Sequence, residues 1–175
     1  MTEAFEYVVD TLLTLALFVF LARLLLQWTR ADFRNPLSQA IVRLTNPLVM
    51  PLRRLLPPIG KLDTASVVAV IVVALIEVAL DSLIRVLALP PALIWVREAA
   101  LEIARTLLWT YTYAIVLYAI LSMVAQAGYS PLQGLLRSLC EPVLRPFRRI
   151  PSPQGLDLSP LWAVLFIQVI RILLR

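Results

Sequence analysis

The sequence predicts an all-α polytopic membrane protein with four transmembrane helices in two parallel repeats, each repeat carrying one interfacial amphipathic helix. Three observations lead there. Hydrophobic residues make up 61% of the 175 positions and charged residues 15%, with a mean hydropathy of +0.86, a balance that soluble domains do not reach. The phrase "NPLVMPLRRLLPP" at 46–58 returns as "EPVLRPFRRIPSP" at 141–153. The arginines gather in two segments that lie between apolar runs.

A membrane span needs about 20 apolar residues to cross a hydrocarbon core of about 30 Å. The first such run is 7–28, preceded by the acidic start "MTEAFEYVVD", which reads as a retained span and not a cleaved signal. A basic segment follows, with Arg30, Arg34, Arg43, Arg53, Arg54 and Lys61 against Asp32 and Asp63. Within it, Asn35-Pro36 supplies a cap and a first-turn proline for a short helix, "PLSQAIVRLT", which Pro47 should stop. The next stretch, Pro-x-x-x-Pro-x-Arg-Arg, should not run as a regular helix. Asp63, in "DTAS", caps the second span, 67–89, which Pro90 and Pro91 end.

Residues 92–105 place Arg97, Glu98, Glu102 and Arg105 on one helical face. The stretch either lies on the outer surface or extends the third span, 107–126. The second basic segment repeats the design: Ser130-Pro131 opens "PLQGLLRSLC", Pro142 should stop it, and Arg137, Arg145, Arg148 and Arg149 stand against Glu141 and Asp157. "DLSP" then caps a fourth run, 160–175, short for a span and supported by the repeat. The domains are therefore a first repeat at 1–90, an outer connector at 91–106 and a second repeat at 107–175.

With four spans the two basic segments share a side, and the excess of arginine and lysine assigns that side to the cytoplasm, with both termini outside. Trp28 and Trp162 mark the inner interface, and Tyr7, Trp109 and Tyr111 the outer one. In a bacterial host this is the inner, cytoplasmic membrane.

The repeat has a measurable register. Pro36 and Pro131, Pro47 and Pro142, Pro51 and Pro146, Arg53 and Arg148, and Arg54 and Arg149 are all 95 apart. After a one-residue deletion the offset becomes 94, pairing Asp63 with Asp157, Glu77 with Arg171 and Asp81 with Arg175. Two spans return a chain to its starting side, so the halves are related by an axis along the membrane normal, which puts equivalent positions at equal depth. A charge near mid-membrane costs roughly 2.5 to 3.5 kcal/mol on insertion scales and calls for a partner or a function. Glu77 with Arg171, and Asp81 with Arg175, are accordingly candidate intramembrane charge pairs locking the halves. The alternative makes Glu77 a cation or proton site of an ion transporter or channel component, with Asp10 and Arg85 at its outer end.

The chain holds no histidine and one cysteine, Cys140. That excludes Ser-His-Asp and Cys-His catalysis, an internal disulfide and Cys/His zinc sites. No enzyme constellation and no cofactor site is expected. Cys140, Trp95 and Tyr113 read as packing residues. The net charge of +5 sits beside apolar runs, so anionic lipid headgroups are the expected partner and nucleic acid is not. Arg53, Arg54, Arg148 and Arg149 are the candidate contacts to lipid, to a membrane-protein partner or to a second copy. Each contributes about 1 kcal/mol near an anionic surface.

"RLLLQWTRADFRNPLSQAIVRLTNPLVMPLRRLLPPIGKLDTAS" in the first half and "SPLQGLLRSLCEPVLRPFRRIPSPQGLDLSP" in the second resemble the YggT (YlmG) family of small integral membrane proteins, here as a tandem two-repeat member. The second copy departs from the pattern in having Glu141 where the first has Asn46, and in lacking a counterpart to Arg23. The resemblance implies a non-enzymatic membrane organising or assembly factor. Family members have been linked to osmotic or potassium tolerance, to division and nucleoid organisation, and in plastids to assembly of a b-type cytochrome.

Overall fold

The structure is a computed structural model and describes residues 2–59, 63–124, 130–149 and 157–174. These form six α-helices, α1 (Thr2–Trp28), α2 (Pro36–Leu55), α3 (Thr64–Val86), α4 (Ala92–Val124), α5 (Pro131–Leu144) and α6 (Ser159–Leu173), with a 3-10 turn at Phe147–Arg149. There is no strand among the described residues. Lys61 and Arg175, to which the sequence assigned roles, lie outside them.

Three helices are long and apolar enough to cross a membrane: Ala4–Trp28 of α1, Thr64–Val86 and Ala92–Met123 of α4. The apolar α6 has 15 residues, short of the roughly 20 that a span needs. Large apolar side chains such as Leu12, Leu15, Ile76, Leu80, Val116 and Ile120 lie exposed along the long helices. That surface suits a hydrocarbon solvent and would be a large unprotected patch in water.

The chain divides into two compact units, Met1–Leu24 with Ile41–Leu107, and Leu25–Ala40 with Leu108–Arg175. In the first, Leu17 and Leu21 of α1 pack with Val70, Val73 and Ala74 of α3 and with Ala99 of α4. Val49 of α2 packs with Ala65 and Ala69 at the start of α3. Alanines at 65, 69, 74 and 99 are what let the helices approach closely, as small residues do at membrane helix contacts. In the second unit, Leu25, Leu26, Ile115, Leu139 and Ala163 are buried, and Phe147 sets its ring 5.8 Å from that of Phe166.

Residues 92–105 are helical and continuous with the third span, the second of the two alternatives, so α4 runs 33 residues. Other boundaries differ from the expectation. The second span ends at Val86, where Leu87 turns into the left-handed region at φ 55 and its N–H bonds Leu83 O; this cap comes before Pro90 is reached. Pro47 does not stop α2, which runs through both Pro47 and Pro51 to Leu55. Prolines four apart share one face of a helix. Here that face is exposed, as is Arg43, whose carbonyl loses its bond to the missing Pro47 N–H. The unsatisfied carbonyls therefore face water or headgroups, while the buried side with Val49 keeps its ladder. Pro142 likewise lies inside α5, which ends two residues later at Leu144. Only the second copy then breaks into a turn and the Phe147–Arg149 helix.

The expected caps form in part. Asn35 Oδ1 accepts the Leu37 N–H at 2.9 Å, whereas Ser130 makes no side-chain cap bond to α5. Asn35 also donates from Nδ2 to the Pro131 carbonyl, so the starts of α2 and α5, equivalent by the repeat, meet within the second unit.

Candidate functional site

The two arginines of each phrase have different surroundings. Arg53 forms an ion pair with Asp63, and Asp63 also accepts the Ser66 hydroxyl at 2.7 Å. In the second copy Arg148 donates to Glu141 Oε1 at 2.7 Å and lies 3.6 Å from Asp157, which accepts the Ser159 N–H at 3.0 Å. Each pair ties the end of the basic segment to the start of the following helix. The neighbouring Ser159, through its side chain and its backbone N–H, and behind it the Arg148 charge, hold the Asp157 carboxyl below the usual carboxylate range. Arg54 and Arg149, the second arginines, are exposed, and no ion pair is recorded for either among the described residues. Asp63 stands at the N-cap of α3 yet makes no side-chain cap bond there, its carboxylate going to Arg53 and Ser66 instead, and the N-cap of α6 is Leu158, one residue after Asp157.

Arg23 is the residue the sequence reading underused. It lies in the first span at 1% exposure and is the bulkiest fully buried side chain among the described residues. Its Nη1 donates to Thr45 Oγ1 at 2.6 Å, Asn46 Oδ1 at 3.0 Å and the Val42 carbonyl at 3.3 Å. Thr45, itself wholly buried, donates its hydroxyl to Ile41 O at 2.7 Å. These acceptors sit on the turn of α2 that Pro47 disrupts, so the guanidinium pins that turn to α1. A basic residue inside an apolar run was the signal that could have found it.

Glu77 is 4% exposed. Its Oε1 accepts the Thr14 hydroxyl at 2.8 Å, and its Oε2 is buried with no hydrogen-bond partner. Towards the far end of α3, Arg85 pairs with Asp81 and lies 3.9 Å from Asp10. Arg171 lies over the Trp109 ring, its guanidinium carbon 3.4 Å from the ring centroid, and donates to Gln168 Oε1 at 2.8 Å. Trp109 in turn stacks on Tyr113 at 5.1 Å. The partners recorded for Glu77 and Arg171 are thus Thr14 for the first and Trp109 with Gln168 for the second, each inside its own unit, and Asp81 has Arg85. No three His, Cys, Asp or Glu side chains come together as a metal would require among the described residues. Trp95 is half-buried and donates from Nε1 to Leu75 O at 2.8 Å. Cys140 is buried, which pushes its thiol up to about 12.

The CCB3/YggT family model matches residues 2–84 and 98–175. The chain belongs to the CCB3/YggT family. It is 39% identical over 177 residues to the uncharacterized protein PA0392 of Pseudomonas aeruginosa, covering 95% of this chain and 86% of that one. It is 35% identical over 166 residues to the uncharacterized protein YggT of Escherichia coli K12, covering 94% and 86%. An uncharacterized protein of the proC 3' region in Vibrio alginolyticus is 37% identical over 170 residues, covering 94% and 89%. No solved structure matches the chain.

The two CCB3/YggT segments repeat contacts as well as sequence. Thr14 and Trp109 are 95 apart, Glu77 and Arg171 94 apart, so the hydroxyl–carboxyl contact in one segment and the indole–guanidinium contact in the other occupy equivalent places. The Arg53–Asp63 and Arg148–Asp157 pairs are equivalent in the same register. So are Thr45 and Cys140, both at 0% exposure. Asp10 corresponds to Arg105, which makes three equivalent positions acidic in the first segment and basic in the second.

Proposed function

We propose that the chain is a non-enzymatic organising or assembly factor of the bacterial inner membrane, spanning it four times with both basic segments cytoplasmic and both termini outside. In this reading the first arginine of each phrase is a clamp and the second is the contact. Arg53 and Arg148 close the basic segments onto the following helices, and Arg54 and Arg149 stand free for anionic headgroups or an acidic membrane-protein partner, including a second copy. The observation that carries it is the repeat-equivalent ion pairing of Arg53 and Arg148 beside exposed Arg54 and Arg149. A role in osmotic stress tolerance or division would follow from what is assembled there. The test is the lipid composition held around the protein in polymer-extracted native membrane particles. Arg54→Gln with Arg149→Gln should lose phosphatidylglycerol enrichment at unchanged thermal stability.

A second reading, an ion transporter or channel component, is favoured by one observation, the buried unpartnered oxygen of Glu77 beside the Thr14 hydroxyl. Cation flux in proteoliposomes that Glu77→Gln abolishes would select it over the first.

A further inference from the structure

We propose that the Arg171–Trp109–Tyr113 stack is a binding site for the phosphate of a phospholipid drawn inward from the leaflet opposite the basic segments. Arg171 sits on an apolar helix and carries a full charge, yet the only acceptor recorded for it among the described residues is Gln168, which takes Nη1. A guanidinium has five N–H donors in a planar fork. With one face closed by the indole, the outer edge of the fork is left to take a pair of oxygens, and a phosphodiester offers them with matching charge.

The depth of the stack says where that phosphate comes from. Helix α6 starts at Ser159, beside the polar Arg148–Asp157 pair, which belongs outside hydrocarbon. Arg171 is then about 18 Å along the helix, at 1.5 Å per residue. Trp109 is about 22 Å from the Val124 end of α4 by the same measure. Both helices therefore place the stack past the middle of a core about 30 Å thick, by about 3 to 7 Å, and short of its far edge. An arginine there is accommodated by reaching for the headgroups and by local thinning that brings the headgroups to it. Trp109 and Tyr113 are 39% and 61% exposed, as interfacial aromatics are. The stack thus sets a local interface inside the nominal membrane thickness. In the first repeat the equivalent place holds Thr14 and Glu77, so the site is a feature of the second repeat alone.

The test is native mass spectrometry of the delipidated full chain titrated with phosphatidylglycerol, with diacylglycerol as the phosphate-free control. With the exposed second arginines of the two phrases removed by Arg54→Gln and Arg149→Gln, the chain should still hold one phosphatidylglycerol, which adding Arg171→Gln weakens about tenfold, with diacylglycerol not retained by either. Adding Arg97→Gln instead, at an exposed arginine beside Glu98, should leave that binding unchanged. If Arg171→Gln does not fold, Trp109→Leu decides, because it keeps the charge and removes the platform, and it too should bind more weakly. Equal binding with and without the added change, in the variant that folds, would overturn the site. So would recovery, by Glu77→Arg with Arg171→Glu together, of abundance lost in Glu77→Arg alone, since that assigns the guanidinium to Glu77.

Discussion

Replacing Thr45 by valine tests the buried arginine most cleanly. The side chains are nearly isosteric, so the change removes an acceptor without opening a cavity. Arg23 loses its shortest bond, 2.6 Å to Thr45 Oγ1, and keeps Asn46 Oδ1 at 3.0 Å and Val42 O at 3.3 Å. A hydrogen bond to a charged group contributes about 1.5 to 3 kcal/mol, and both groups here are fully buried, so Thr45→Val should cost about 2 kcal/mol. At about 2 to 4 °C per kcal/mol for a chain of this size, that is a fall of about 4 to 8 °C, read by size-exclusion chromatography after heating. The loss should shrink sharply when Arg23→Met is already present, because the valine then orphans nothing. The cycle should give a coupling of at least about 1 kcal/mol. Additive effects would refute the claim that Arg23 and Thr45 act as a unit.

Three further outcomes follow. Asp157 has its carboxyl held below the ordinary range, so its contribution to stability is full above about pH 4, the unfolded value, and is lost as pH falls through the folded value. A thermal scan series in acid should show the fall, and Asp157→Asn should flatten it. Cys140, with its thiol pushed up to about 12 by burial, should resist maleimide at pH 8 until the chain unfolds, as mass spectrometry after timed labelling will read. Arg30 closes the end of α1 in the left-handed region at φ 52, with Ala31 N–H bonded back to Leu26 O at 2.9 Å, the place where glycine is usual. Arg30→Gly should therefore leave thermal stability equal or raise it by a few degrees, and a large fall would contradict that geometry.

The long helices were legible because hydropathy is read over twenty residues and survives local detail. Span 7–28 became Ala4–Trp28 and span 67–89 became Thr64–Val86. Their edges were not legible, since Leu87 ends α3 through its own backbone conformation, which no side chain announces. The prolines misled for a related reason. A proline costs a helix one hydrogen bond and a steric contact on one side, and whether that side is wet depends on packing. In α2 both prolines fall on the exposed face, so the helix continues. Position in the repeat was the most informative signal. It picked out Glu77 and Arg171 as equivalent, and the structure adds that Thr14 and Trp109, equally equivalent, are what they touch. It could not divide Arg53 from Arg54, because their sequence context is the same and only the reach to Asp63 separates them.

The double-arginine phrase divides stability from lipid contact between its two residues, and one paired measurement reads both. Phosphatidylglycerol content and melting temperature are determined together for the chain in native membrane particles, comparing Arg54→Gln/Arg149→Gln with Arg53→Gln/Arg148→Gln. The first pair should lose lipid enrichment and keep its melting temperature, while the second should melt earlier. Enrichment undiminished by loss of Arg54 and Arg149, or melting that ignores loss of Arg53 and Arg148, would contradict that division.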